Sequence, residues 1–163
     1  HEGPIPLDES ADRLLVEPRI GSHAAKYVRE AIEHYGTRTV VEEGEQKERY
    51  RFFDAPGNEG EHAVLGNTDV LNSFVDTLRS IASRRGKEEK IVWIEGPTAT
   101  GKSEFKRCLV NGLREYSKTE EGRRYTVEWN VSSVREWGSE EEENWYESPT
   151  QSHPLLVFPR DIR

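Results

Sequence analysis

Gly96-Pro97-Thr98-Ala99-Thr100-Gly101-Lys102-Ser103 is the stretch whose reading decides the fold. It has the spacing glycine, four residues, glycine, lysine, hydroxyl residue. A triphosphate presents closely spaced anionic oxygens that only many short-range donors can hold, and bulky side chains cannot converge on it so tightly. Gly96 and Gly101 let the backbone curl so that N–H groups from Thr98 to Ser103 face inward, at the start of a helix whose dipole favours an anion. Lys102 then reaches the outer phosphates as a point charge, and the Ser103 hydroxyl coordinates the Mg²⁺ that bridges them. The expected ligand set is Gly96, Pro97, Thr98, Ala99, Thr100, Gly101, Lys102 and Ser103, and the expected cofactors are ATP and Mg²⁺. Such a pattern arises by chance in roughly 0.5% of chains of this composition, so a plain surface turn is the weaker reading.

The flanks are read in the same light. Lys90 to Glu95 is a short, nearly continuous apolar run, the pattern of a strand covered on both faces of a parallel sheet. After the loop, Phe105, Cys108, Leu109, Leu113 and Tyr116 mark one face of a helix, and Tyr125 to Val131 alternates as a strand does. Strand, loop, helix and strand make a βαβ unit. The fold expected is therefore α/β, a P-loop NTPase core of AAA type with a parallel sheet. A helical and β-hairpin extension precedes it, and the module is read as incomplete.

Upstream, residues 1–21 hold three prolines and are read as an extended arm. Residues 22–66 are read as the extension. Ala24, Tyr27, Val28, Ala31, Ile32 and Tyr35 set a helix over 22–35, and two β-rich runs, Thr37 to Glu42 and Glu48 to Phe53, flank a turn at Gly44. Residues 67–163 are read as the first part of the nucleotide-binding core. It opens with a helix capped by Asn67 or Thr68 and carrying Val70, Leu71, Phe74, Val75, Leu78, Ile81 and Ala82. Gly138 to Asn144 is an acidic loop, and Leu155 to Phe158 reads as a short strand.

Composition sets the outer limits. With 33% charged residues and no apolar run near bilayer length, the chain is expected to lack a membrane span. It has no secretory signal pattern and one cysteine, Cys108, which suits a cytoplasmic location. The net charge of −8 argues against broad nucleic-acid binding. An acidic surface suits a salt-rich cytosol as well as ordinary solubility. The absence of methionine, at position 1 as elsewhere, is read as a sign that the chain is part of a longer polypeptide.

Other chemical-looking residues are discounted. Asp54-Ala55-Pro56-Gly57 is read as a turn, since it precedes the loop where a GTPase γ-phosphate sensor follows it. No Asn-Lys-x-Asp guanine-reading sequence occurs, which favours ATP over GTP. Asp161, after Leu155 to Phe158, is read as a surface residue and Glu128 as a solvent-facing strand residue. The histidines show no metal-ligand spacing.

Taken together, Ala24-Ala25-Lys26-Tyr27, Arg49-Tyr50-Arg51-Phe52-Phe53, the helix from Asp69, Gly86-Lys87-Glu88-Glu89 and the loop resemble the N-terminal AAA region of PrkA-type serine protein kinases. Ser148-Pro149, Pro154-Leu155 and Phe158-Pro159 are similar to that family's proline-spaced segment. The resemblance implies an ATP-dependent serine protein kinase or ATPase, with a nucleotide and a protein substrate as partners, and it admits a homo-oligomer. Adenine contacts at Val64 and Leu65, within His62 to Gly66, are also implied by the resemblance, although the same pair reads equally well as core. An AAA-type ATPase that remodels protein partners without kinase activity is the alternative. No kinase signature such as His-Arg-Asp or Asp-Phe-Gly is present, so no catalytic residue is assigned.

Overall fold

The computed structural model describes residues 5–16, 23–83, 92–96, 101–130, 145–151 and 154. These fall into two compact units, one drawn from 1–22 and 124–163, the other from 23–123. Among the described residues no helix is long and apolar enough to cross a membrane.

In the unit 23–123, helix α2 (Ala24–His34) begins where His23 Nδ1 accepts from the Lys26 N–H at 3.4 Å, and it closes before Gly36 at a φ of +67°. The chain numbers α1 (Leu7–Val16) before it, in the other unit. Strands β1 (Thr37–Glu42) and β2 (Glu45–Tyr50) pair antiparallel, Thr37 opposite Tyr50 and Glu42 opposite Glu45. Glu43 and Gly44 between them have φ of +55° and +83°, the two-residue turn whose twist suits a hairpin. Arg51–Asp54 and Pro56–Asn58 are 3-10 turns. Helices α3 (Thr68–Ala82) and α4 (Lys102–Tyr116) complete the unit.

Its core is where these pieces meet. Ala31 and Ile32 from α2, Phe52 and Phe53 from the first 3-10 turn, Leu71, Val75 and Leu78 from α3, and Cys108 and Tyr116 from α4 are all buried. Gly112 lets α4 approach this core, since a Cβ there would stand 2.3 Å from Phe52 Cζ. Burial drives the Cys108 thiol up to about 11, which keeps it a packed thiol rather than a nucleophile.

The other unit holds α1 and a short pair of strands, β3 (Glu128–Asn130) and β4 (Trp145–Glu147), antiparallel with Trp129 opposite Tyr146.

Several expectations are corrected here. The expected α/β core with a parallel sheet is not found: both sheets among the described residues are two-stranded and antiparallel, so a P-loop NTPase core is not supported. Of Lys90 to Glu95, expected as a strand of that sheet, Lys90 and Ile91 lie outside the described residues, and 92–95 pair with no strand among the described residues, with Val92, Trp93 and Ile94 exposed. An apolar run records a preference for burial but names no partner for its N–H and C=O groups, and a strand needs that partner. Of Tyr125 to Val131, Val131 lies outside the described residues and only Glu128–Asn130 of the rest is strand, and it pairs forward to β4, so no βαβ unit is found among the described residues.

Two local readings also change. The stretch 1–21, read as an extended arm, carries α1, with Pro6 just ahead of the helix where a missing N–H is harmless. The second hairpin strand ends at Tyr50, not Phe53. Strand alternation would send Phe52 and Phe53 to opposite faces, yet their exposures are 1% and 0%, and the 3-10 turn buries both. The acidic loop Gly138 to Asn144, the strand Leu155 to Phe158 and Asp161 lie outside the described residues.

Candidate functional site

The loop is described at its two ends. Gly101 takes a φ of +82°, a left-handed conformation that glycine adopts without strain, and α4 begins at the next residue. No side chain caps this helix start. Its first N–H groups, which have no acceptor within the helix, are therefore left by the cap to other partners. Lys102 reaches back across the loop and donates from Nζ to the Gly96 carbonyl at 2.7 Å. Ser103 is exposed on the first turn. Pro97, Thr98, Ala99 and Thr100 lie outside the described residues.

A cavity of about 420 Å³ opens beside these ends. Gly96, Gly101 and Lys102 line it, and Val64, Val70, Leu71, Phe74, Val92 to Ile94 and Phe105 supply apolar walls. Phe74 meets Phe105 edge to face with ring centroids 5.2 Å apart, which fixes one wall. Of the two residues carried over as adenine contacts, Val64 is buried and lines the cavity, whereas Leu65 is 86% exposed and does not. The volume falls within the range of roughly 300–1,000 Å³ that small-molecule sites occupy.

The wall formed by 64–67 is held from behind. Arg49, on β2, is 3% exposed. Its Nε donates to Asp54 Oδ1 at 3.1 Å, its Nη1 to the Gly66 carbonyl at 2.9 Å and to Thr68 Oγ1 at 3.2 Å, and its Nη2 to the Val64 carbonyl. Asp54 also accepts from Arg38, at 2.5 and 3.0 Å. Burial pushes the Asp54 carboxyl upward, but the hydrogen bonds from Arg38 and Arg49 outweigh it and leave the group below its ordinary value. Glu42 accepts from the Thr68 N–H at 3.2 Å and from its hydroxyl at 2.6 Å, and those bonds lower its carboxyl in turn.

A second tie reaches the start of α4. His62 Nδ1 lies 2.7 Å from Glu104 Oε2, and Arg107 donates to the same carboxylate at 2.9 Å through Oε1. The His62 hydrogen bond is the main cause that lowers the Glu104 carboxyl. A carboxylate one residue after Ser103 is thus matched by local donors.

Of the residues expected from sequence, Gly96, Gly101, Lys102 and Val64 line the cavity, whereas Arg49, Asp54, Glu42 and the aromatic walls were not anticipated there. The turn reading of Asp54 describes its backbone and not its ion pairs. Glu128 is exposed on β3 in the other unit. Among the described residues no group of three or more acidic, histidine or cysteine side chains could hold a metal ion. That matters little for nucleotide-bound magnesium, which keeps waters and phosphate oxygens as most of its ligands. Ser103, exposed at the helix start, offers one hydroxyl ligand to such an ion.

Compared with known proteins, the chain matches no family model, no curated protein and no solved structure.

Proposed function

We propose that the unit 23–123 binds MgATP, with the triphosphate on the loop 96–103 and the base in the adjacent cavity. The observation that carries this reading is that Gly96, Gly101 and Lys102 line the same largely apolar cavity of nucleoside size. Charge and apolar surface then lie where a nucleotide carries its phosphates and its base. The uncapped start of α4 offers N–H donors, Lys102 offers a charge, and Ser103 would hold the magnesium, which neutralises phosphate charge when bound. Binding in this form draws on no parallel sheet.

The wider reading is an ATP-binding region of a serine protein kinase, supported by the PrkA-type resemblance of the segments quoted above. Phosphotransfer needs a second acid near magnesium and a group to stabilise developing charge. Binding is the activity proposed for this chain by itself.

Titration calorimetry with MgATP is the test. The chain should bind, and Lys102→Ala should weaken binding by about ten- to a hundredfold, the worth of a lost charge-assisted hydrogen bond. Unchanged affinity in that variant refutes the reading. Ser103→Ala should reduce the magnesium dependence and leave metal-free binding in place.

A further inference from the structure

We infer that Arg49 is a positioning residue for the base half of the site, and that it has no part in the phosphate half. The inference rests on the nucleotide reading just given.

Arg49 touches nothing in the cavity, but its guanidinium fastens the strip of backbone that forms one wall. The carbonyls of Val64 and Gly66 both accept from it, and they bracket the turn that presents Val64 and Asn67 to the cavity. That turn is left-handed at Gly66 and Asn67, with φ of +63° and +55°. A left-handed asparagine is sparsely populated and persists where its surroundings hold it. Here the Arg49 guanidinium is the side chain that ties both carbonyls, beside the backbone bonds from Val64 N–H to the Phe53 carbonyl and from Leu71 N–H to the Asn67 carbonyl. Asp54 and Thr68 fix the guanidinium in turn, and both are secured by further partners, Arg38 on one side and Glu42 on the other. The fork is therefore set in place before any ligand arrives, which is the condition for low ordering cost on binding.

Lysine cannot substitute in this role. Its ammonium is a point donor on a flexible stem and cannot reach two carbonyls, a hydroxyl and a carboxylate in one plane. The phosphate half is built from the start of α4, Gly96 and Lys102, none of which is among the hydrogen-bond partners described for Arg49.

The experiment separates the two halves. Affinities of the wild-type chain, Arg49→Lys and Thr68→Val are measured for MgATP and for magnesium tripolyphosphate, an inorganic chain with the same charges and no base. In Arg49→Lys the MgATP dissociation constant should rise about tenfold, as expected if the ordered wall is populated about a tenth of the time, with tripolyphosphate unchanged within about twofold. Thr68→Val removes one of the guanidinium's acceptors and should shift MgATP the same way by about threefold, again sparing tripolyphosphate. Retained tripolyphosphate binding also reports that the variant is folded. Equal weakening of both probes in Arg49→Lys, or no change in either, overturns the inference. If the wild-type chain binds tripolyphosphate as tightly as MgATP, the cavity adds nothing and the role of Arg49 falls while the loop reading stands. If it binds neither, the nucleotide reading falls with it.

Discussion

The two sides of the cavity are built on opposite terms. Residues 59–67 belong to no helix or strand and are left-handed at Glu59, His62 and Asn67, yet they are fastened by a buried guanidinium and by backbone bonds such as Val64 N–H to the Phe53 carbonyl at 2.8 Å. The run Lys90 to Glu95 is apolar enough to read as a core strand, yet Trp93 is 80% exposed and 92–95 pair with no strand among the described residues. The contrast teaches that apolar character alone does not secure backbone. What secures it is an answer to where each N–H and C=O goes, and a single arginine can supply that answer for a segment with no regular structure.

The sharpest test of this contrast is a pair of truncations. Arg49→Ala leaves the buried Val64 carbonyl and the more exposed Gly66 carbonyl without this donor and should cost about 2 kcal/mol in denaturant unfolding. Trp93→Ala removes a far larger apolar side chain and should stay within about 0.5 kcal/mol of wild type, because that side chain buries little. Equal losses would break the comparison. A smaller effect is expected where the fastened side is pressed from behind. Gly112→Ala places a Cβ 2.3 Å from Phe52 Cζ, and the ring would have to shift. Overpacking of about 1–3 kcal/mol, offset by about 1 kcal/mol of better helix propensity, leaves a net loss of about 1 kcal/mol in the same assay.

The smallest effect is a pH dependence. Glu42 is held low by hydrogen bonds from Thr68, Glu104 by its bond to His62, and Asp54 by Arg38 and Arg49 against an opposing burial effect. All three folded values lie below the unfolded ones. Their contribution is therefore complete above the ordinary carboxylate range, at about pH 4, and is lost as pH falls through the lower folded values. Melting temperature should be level from neutrality to about pH 5 and decline below it, and Glu42→Gln should make that decline shallower.

How much of this the sequence discloses follows the range of the interaction. The helices α2, α3 and α4 are written in apolar periodicity, and the structure has them within a residue or two of the expected ends. The hairpin turn at Gly44 is equally local. The register of the sheet is not, and the run Lys90 to Glu95 shows why, since nothing inside it specifies a neighbour. Arg49 is harder still. Glu48-Arg49-Tyr50-Arg51 gives no sign of which arginine is buried, because the reason lies in carbonyls 15 and 17 residues away. Val64 was legible as a dual prospect, core or base contact, and it is both buried and on the cavity.

The start of α3 carries one more lesson. Asn67, immediately before the helix, is left-handed and makes no side-chain cap, and the Thr68 N–H is met by Glu42 from β1. The helix has thus borrowed its first hydrogen bond from a strand 26 residues earlier in the chain. A segment excised from Asn67 to Ser83 would lack that acceptor and fray at its front end. The hairpin and the helix are thus one transplantable unit: a graft of the helix alone into another scaffold leaves its front N–H without the strand carboxylate that meets it here.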